Sequence, residues 1–116
     1  MTRGMTFILP PPEEFQKPRR VADIKESMNG LWVEGKIVEK TNSALVQTRY
    51  GDAMFCTAVL QDNTGKIRLN LYRDQTNVKV GDMVRIENGF TNSYGELNVG
   101  KKGRVVTVPG SNDRSP

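Results

Sequence analysis

The segment Lys66-Ile67-Arg68-Leu69-Asn70-Leu71-Tyr72 alternates apolar and polar side chains without a break. In an extended strand that spacing sends Ile67, Leu69 and Leu71 to one face and Lys66, Arg68, Asn70 and Tyr72 to the other. The second face joins a flat π surface to two cations and an amide. A ring of that kind stacks on a planar base, while the cations meet phosphate or lie over the ring. The chemistry is that of gripping an unpaired nucleic-acid strand. The competing role for Tyr72 is a rim aromatic that covers one end of a core.

Other chemistries lack their residues. There is no histidine, so the commonest general base and metal ligand are missing. The one cysteine, Cys56, shares phase with Met54, Ala58 and Leu60 and reads as a small buried hydrophobe; alone it makes neither a disulfide nor a zinc site. Asp and Glu are scattered among turns, and no phosphate-cradling G-x-x-x-x-G-K-[ST] occurs. The expectation is a chain that is no enzyme, with no cofactor and no metal. Lys plus Arg outnumber Asp plus Glu by 17 to 13, a net charge of +4, which leans toward a polyanionic partner. Unpaired cysteine and the lack of an apolar run of about 20 residues predict an intracellular, cytoplasmic protein with no membrane contact.

A chain of 116 residues has room for one core. Residues 1–17, with Pro10-Pro11-Pro12 and Glu13-Glu14, read as an extended or disordered arm, and residues 109–116 as a polar tail. Val21, Ile24 and Met28 fall on one helical face before Asn29-Gly30, which predicts a short turn sealing the core. From Leu31 onward, short β-branched runs are punctuated by glycine and Asn/Asp clusters, the pattern of an all-β barrel or sandwich. Predicted strands are 31–40, kinked at Gly35; 54–61; 66–72; 83–90; then 96–99 and 104–108, with a turn at Lys101-Lys102-Gly103. Residues 41–52 read as a polar connection, Asp62-Asn63-Thr64-Gly65 as a hairpin turn, and residues 73–80 as a connector holding a helical turn.

This order, with its Gly35 kink, the Asp62-Asn63-Thr64-Gly65 turn and Gly81-Asp82, resembles the OB-fold, a five-stranded Greek-key barrel that binds oligonucleotides. Residues 62–72 and 80–95 look like the simple single-stranded-DNA-binding proteins of archaea, which are related to eukaryotic ones and to replication protein A. The resemblance covers about residues 21–108, so residues 18–108 are expected to form the domain. It implies base stacking by Tyr72, Phe90 and Tyr94, where several relatives have tryptophan. Phe90 shares phase with the core candidates Val84 and Ile86, so it reaches that face only if Gly89 makes a bulge.

Phosphate and polar contacts are expected from Arg68, Lys66 and Asn70, from Arg85 if its strand runs beside 66–72, and from Arg49 in the loop before Gly51. Trp32 lies out of phase with Leu31 and Val33, either beside the groove or in a subunit contact. Tyr50, Lys101 and Lys102 are groove or interface candidates, with a solvated surface the alternative for each. The expected partner is single-stranded DNA, possibly RNA, in replication, recombination or repair, with replication or repair proteins as further partners and a monomer favoured. Alternatives are an RNA or tRNA-binding OB module, or an assembly subunit of a replication protein A-like complex.

Overall fold

Among the described residues six strands carry the structure: β1 (Leu31–Lys40), β2 (Ala44–Thr48), β3 (Gly51–Asp62), β4 (Gly65–Tyr72), β5 (Met83–Thr91) and β6 (Leu97–Thr107). The computed structural model describes residues 18–108, so the expected arm and tail lie outside the described residues. Five strands close a barrel in the order β1-β5-β6-β4-β3 and back to β1, all antiparallel except β4–β6. Leu31, Val33, Ile37, Leu60, Leu69, Leu71, Val84, Ile86 and Leu97 fill its interior with no exposed surface. The barrel is all-β, as expected from the sequence.

Closure depends on β1. Its first half pairs with β5 and its second half with β3, the two ladders meeting at Lys36. Beside that crossing a Cβ on Gly35 would stand 2.7 Å from the Gln61 carbonyl oxygen and 3.0 Å from Leu60. The glycine predicted to kink the strand therefore lies where β1 and β3 approach too closely for a side chain. Val21 heads a short 3-10 turn, Val21–Asp23, and is buried with Ile24 and Met28 packed beside it, the expected seal.

That seal is tied to the β3–β4 hairpin by one carboxylate. Asp62 accepts hydrogen bonds from the Thr64 N–H (2.7 Å), the Thr64 hydroxyl (2.6 Å), the Gly65 N–H (3.1 Å) and the distant Val21 N–H (2.9 Å). Burial pushes this carboxyl up, but the Thr64 hydroxyl and the three backbone donors outweigh it and hold the group below its ordinary value. A carboxyl lowered in the folded state stabilises above its unfolded value, near pH 4, and loses that contribution as pH falls through the folded value. Asp62→Ala is expected to cost about 2 kcal/mol at neutral pH. In urea melts the gap from the wild type should shrink in acid; a gap independent of pH would mean that charge on Asp62 is immaterial.

Two regions depart from the sequence reading. Residues 41–52 are not merely a connection, because Ala44–Thr48 pairs with β3 from Ala44↔Phe55 to Thr48↔Gly51. No residue of β2 is buried, so the segment shows none of the alternation that betrays a core strand. The turn expected at Lys101-Lys102-Gly103 does not end a strand either. Arg104 pairs with Glu87 and Val99 with Gly89, so residues 100–103 bulge out opposite Asn88 while both halves of β6 stay on the same neighbour. Asn88 takes a φ of 59°, in the left-handed region that asparagine tolerates.

Candidate nucleic-acid interface

The irregularity at Asn88 resets the phase of β5. Val84 and Ile86 point inward, yet after the bulge Gly89 and Thr91 are buried and Phe90 turns outward, 38% exposed. Phe90 thus reaches the outer face, as the bulge condition required, with the bulge one residue earlier than Gly89. Registers then place Thr57, Asn70, Asn98 and Phe90 in one row across β3, β4, β6 and β5. In the next row Phe55 lies opposite Tyr72, their ring centroids 4.8 Å apart and tilted by 50°.

A groove of about 760 Å³ opens over these rows. Tyr72 and Phe90 line it together with Asn98, Val99 and Gly100. A Cβ on Gly100 would touch the Phe90 ring at 3.5 Å, so the glycine leaves the groove floor beside that ring bare. Arg49 and Tyr50 come from the β2–β3 turn, Lys101 from the β6 bulge, and Arg73, Asp74 and Gln75 from the 3-10 turn Arg73–Asn77. Tyr50 is 70% exposed, and the Lys101 ammonium sits 5.0 Å from its ring centroid. The Tyr72 N–H donates to Gln75 Oε1 (2.9 Å), and Gln75 Nε2 donates to the Val99 carbonyl (3.0 Å). These bonds fix the chain direction just after the Tyr72 ring.

The other candidates sit outside the groove. Tyr94 stands in the β5–β6 turn at 85% exposure and does not line it. Arg68 is on the outer face, one row beyond Asn70, with Nε 3.6 Å from Glu96. Asn70 is only 8% exposed, its amide donating to Glu96 and to Asn98. Lys66 is the second residue of β4, six residues or about 20 Å from Tyr72. Lys102 is exposed in the bulge but does not line the groove, and Trp32 is half-buried on the outer face of β1, away from it. Arg85 does not run beside β4, because β5 pairs with β1 and β6. Its guanidinium bonds Glu87 at 2.8 Å and lies 4.0 Å from Glu34, so its charge is matched locally. Burial pushes the Glu87 carboxyl up, but hydrogen bonds from Arg85 and Arg104 hold it below its ordinary value.

Phe55, Arg73 and Gln75 escaped the sequence reading. Phe55 is out of phase with Cys56, Ala58 and Leu60, which was signal enough to put it outside. Arg73 directly follows the stacking candidate and takes a φ of 58°, so its side chain leaves the strand's alternation.

No protein-family model matches the chain. Over 91 residues, 75% of this chain, it is 28% identical to the single-stranded DNA binding protein of Saccharolobus solfataricus. The chain's match spans 62% of that relative's length. In structure it superposes on the OB domain of a Thermoplasma acidophilum protein with a TM-score of 0.66 at 25% identity, covering 84% of this chain and 90% of the other. A replication factor A related protein from Methanobacterium thermoautotrophicum superposes with a TM-score of 0.66 at 16% identity, covering 82% and 94%. The chain is an OB-fold protein that resembles the archaeal single-stranded-DNA-binding proteins. In this OB-fold the rings of Tyr72 and Phe90 occupy the open outer face of β4, β6 and β5, and the cations of three separate turns or bulges ring it. Among the described residues no helix is long and apolar enough to cross a membrane.

Proposed function

We propose that this chain binds single-stranded DNA with little regard to sequence, by stacking bases on Tyr72 and Phe90 and meeting phosphates with Arg49, Arg73 and Lys101. One observation carries the reading: two rings, Tyr72 and Phe90, share one groove with three cations, Arg49, Arg73 and Lys101. Phe55 backs the Tyr72 ring, which limits the freedom lost when a base settles on it. Tyr50, loosely held over Lys101, is a third ring within reach, and Tyr94, exposed in the β5–β6 turn, is a further candidate. Stacking needs only a π face, so every base qualifies, whereas duplex bases are already stacked. The role is to cover exposed strands in replication, recombination or repair, without catalysis. A monomer is the proposed binding unit.

The test is a titration of labelled oligo-dT, a duplex of equal length and the matching RNA, by anisotropy at two salt concentrations. Single strands should bind more tightly than duplex, with a log–log salt slope of about −2 from three phosphate contacts at roughly −0.7 each. Duplex binding as tight as oligo-dT would overturn the reading. Tighter RNA binding would reassign the ligand while keeping the groove.

A further inference from the structure

A carboxylate stands on the face that a polyanion would have to cross. Glu96, the residue just before β6, lies beside Arg68 and two residues or about 7 Å from Asn98, and its side chain is 28% exposed. Asn98 is flanked by Asn70 on one side and Phe90 on the other. Asn98 is thus opposite the Phe90 ring and Glu96 one row further, so a polar strip lies beside that ring.

That strip is held rigidly. The nearly buried Asn70 amide donates to Glu96 Oε1 and to Asn98 Oδ1, each at 3.3 Å. Asn92 donates to the same Glu96 oxygen at 2.9 Å, and Asn98 Nδ2 donates to the Glu96 carbonyl at 3.0 Å. Oε1 is thus committed twice over. Oε2 has Arg68 at 3.6 Å, too long for a good hydrogen bond, and retains accepting capacity. The hydrogen bonds from Asn92 and Asn70 also keep the carboxyl below its ordinary value, so at neutral pH it accepts and never donates.

We infer that Glu96, steadied by Asn70 and Asn92, reads base edges together with Asn98, favouring bases whose exposed edge carries an amino group over those carrying a carbonyl there. The inference rests on the proposed stacking of single strands on this face. An ionised carboxylate accepts from the cytosine 4-amino group and repels the uracil O4, the same complementarity by which acidic side chains select cytosine in a groove. Its negative charge also turns phosphates away from the strip and toward the cationic rim, which leaves base edges facing it. Stacking remains the main source of affinity, and the strip adds a modest bias.

Oligo-dC and oligo-dU of equal length isolate the effect, because their bases differ only at the 4-position and the adjoining N3 proton. Measured by anisotropy at one salt concentration and mildly alkaline pH, the wild type should bind oligo-dC about fivefold more tightly, the effect of one partly solvated hydrogen bond. Glu96→Gln, whose amide both donates and accepts, should bring the two within about twofold while keeping a cooperative urea melt. Equal affinities in the wild type would overturn the inference without any variant, as would an unchanged ratio in a folded Glu96→Gln. Failure of both oligomers to bind would remove the stacking proposal, and this inference with it; that result is distinct from equal, measurable binding.

Discussion

Tyr72→Ala is expected to weaken binding of oligo-dT by about 1 to 3 kcal/mol, the range found when a base loses its aromatic platform. The ring is outside the barrel, between the buried Leu71 and the exposed Arg73, and its only ring neighbour among the described residues is Phe55. Its removal should therefore cost the fold only what an aromatic pair contributes, about 0.5 to 1.5 kcal/mol, visible as a small shift in the urea midpoint. Tyr72→Phe keeps the π face and should bind nearly as the wild type does. Phe55→Ala loosens the same ring, so its effect should overlap with that of Tyr72→Ala and the double variant should fall short of the sum. Tyr94→Ala, outside the groove, should cost less than Tyr72→Ala. If Tyr72→Ala stays folded and binds undiminished, stacking in this groove is wrong; if it unfolds, the ring belongs to the barrel.

The strand that carries Tyr72 was legible because its alternation is uninterrupted: burial of Leu69 and Leu71 dictates where Arg68 and Tyr72 go. Legibility ended wherever the backbone changed phase. Phe90 follows a left-handed Asn88, and nothing in the local spelling distinguishes a bulge there from one at Gly89. Lys101 reaches Tyr50 only because four residues of β6 face one of β5, a tertiary fact of closure rather than of local propensity. Arg85 was misplaced for a different reason. Alternation fixes a residue's face but not its strand's neighbours, and in the closed barrel β6 separates β5 from β4. The β2 strand, with no buried side, left no periodic trace at all. The cationic rim was the least visible part of the site, since Arg49, Arg73 and Lys101 come from irregular backbone and converge only in three dimensions.

Gly35→Ala is expected to cost about 2 to 3 kcal/mol of stability, the upper range for overfilling a packed interior. The added methyl would lie 2.7 Å from the Gln61 carbonyl oxygen, which is backbone of β3 and cannot rotate aside as a flexible side chain would. Relief requires β1 and β3 to separate where the ladder passes through Lys36↔Gln61, the seam that closes the barrel. Gly65→Ala is the matched control, because its methyl would meet only Val21 at 3.7 Å, an ordinary contact. The two variants delete the same backbone freedom from the unfolded chain, so the difference in their urea midpoints isolates the clash. Opening that seam also displaces β3, which carries Phe55 behind the Tyr72 ring, so Gly35→Ala should loosen oligonucleotide binding even below its melting point. Equal midpoints for the two variants would mean that β3 does not cross β1 at Gly35, and the support of the Tyr72 ring would then need another origin.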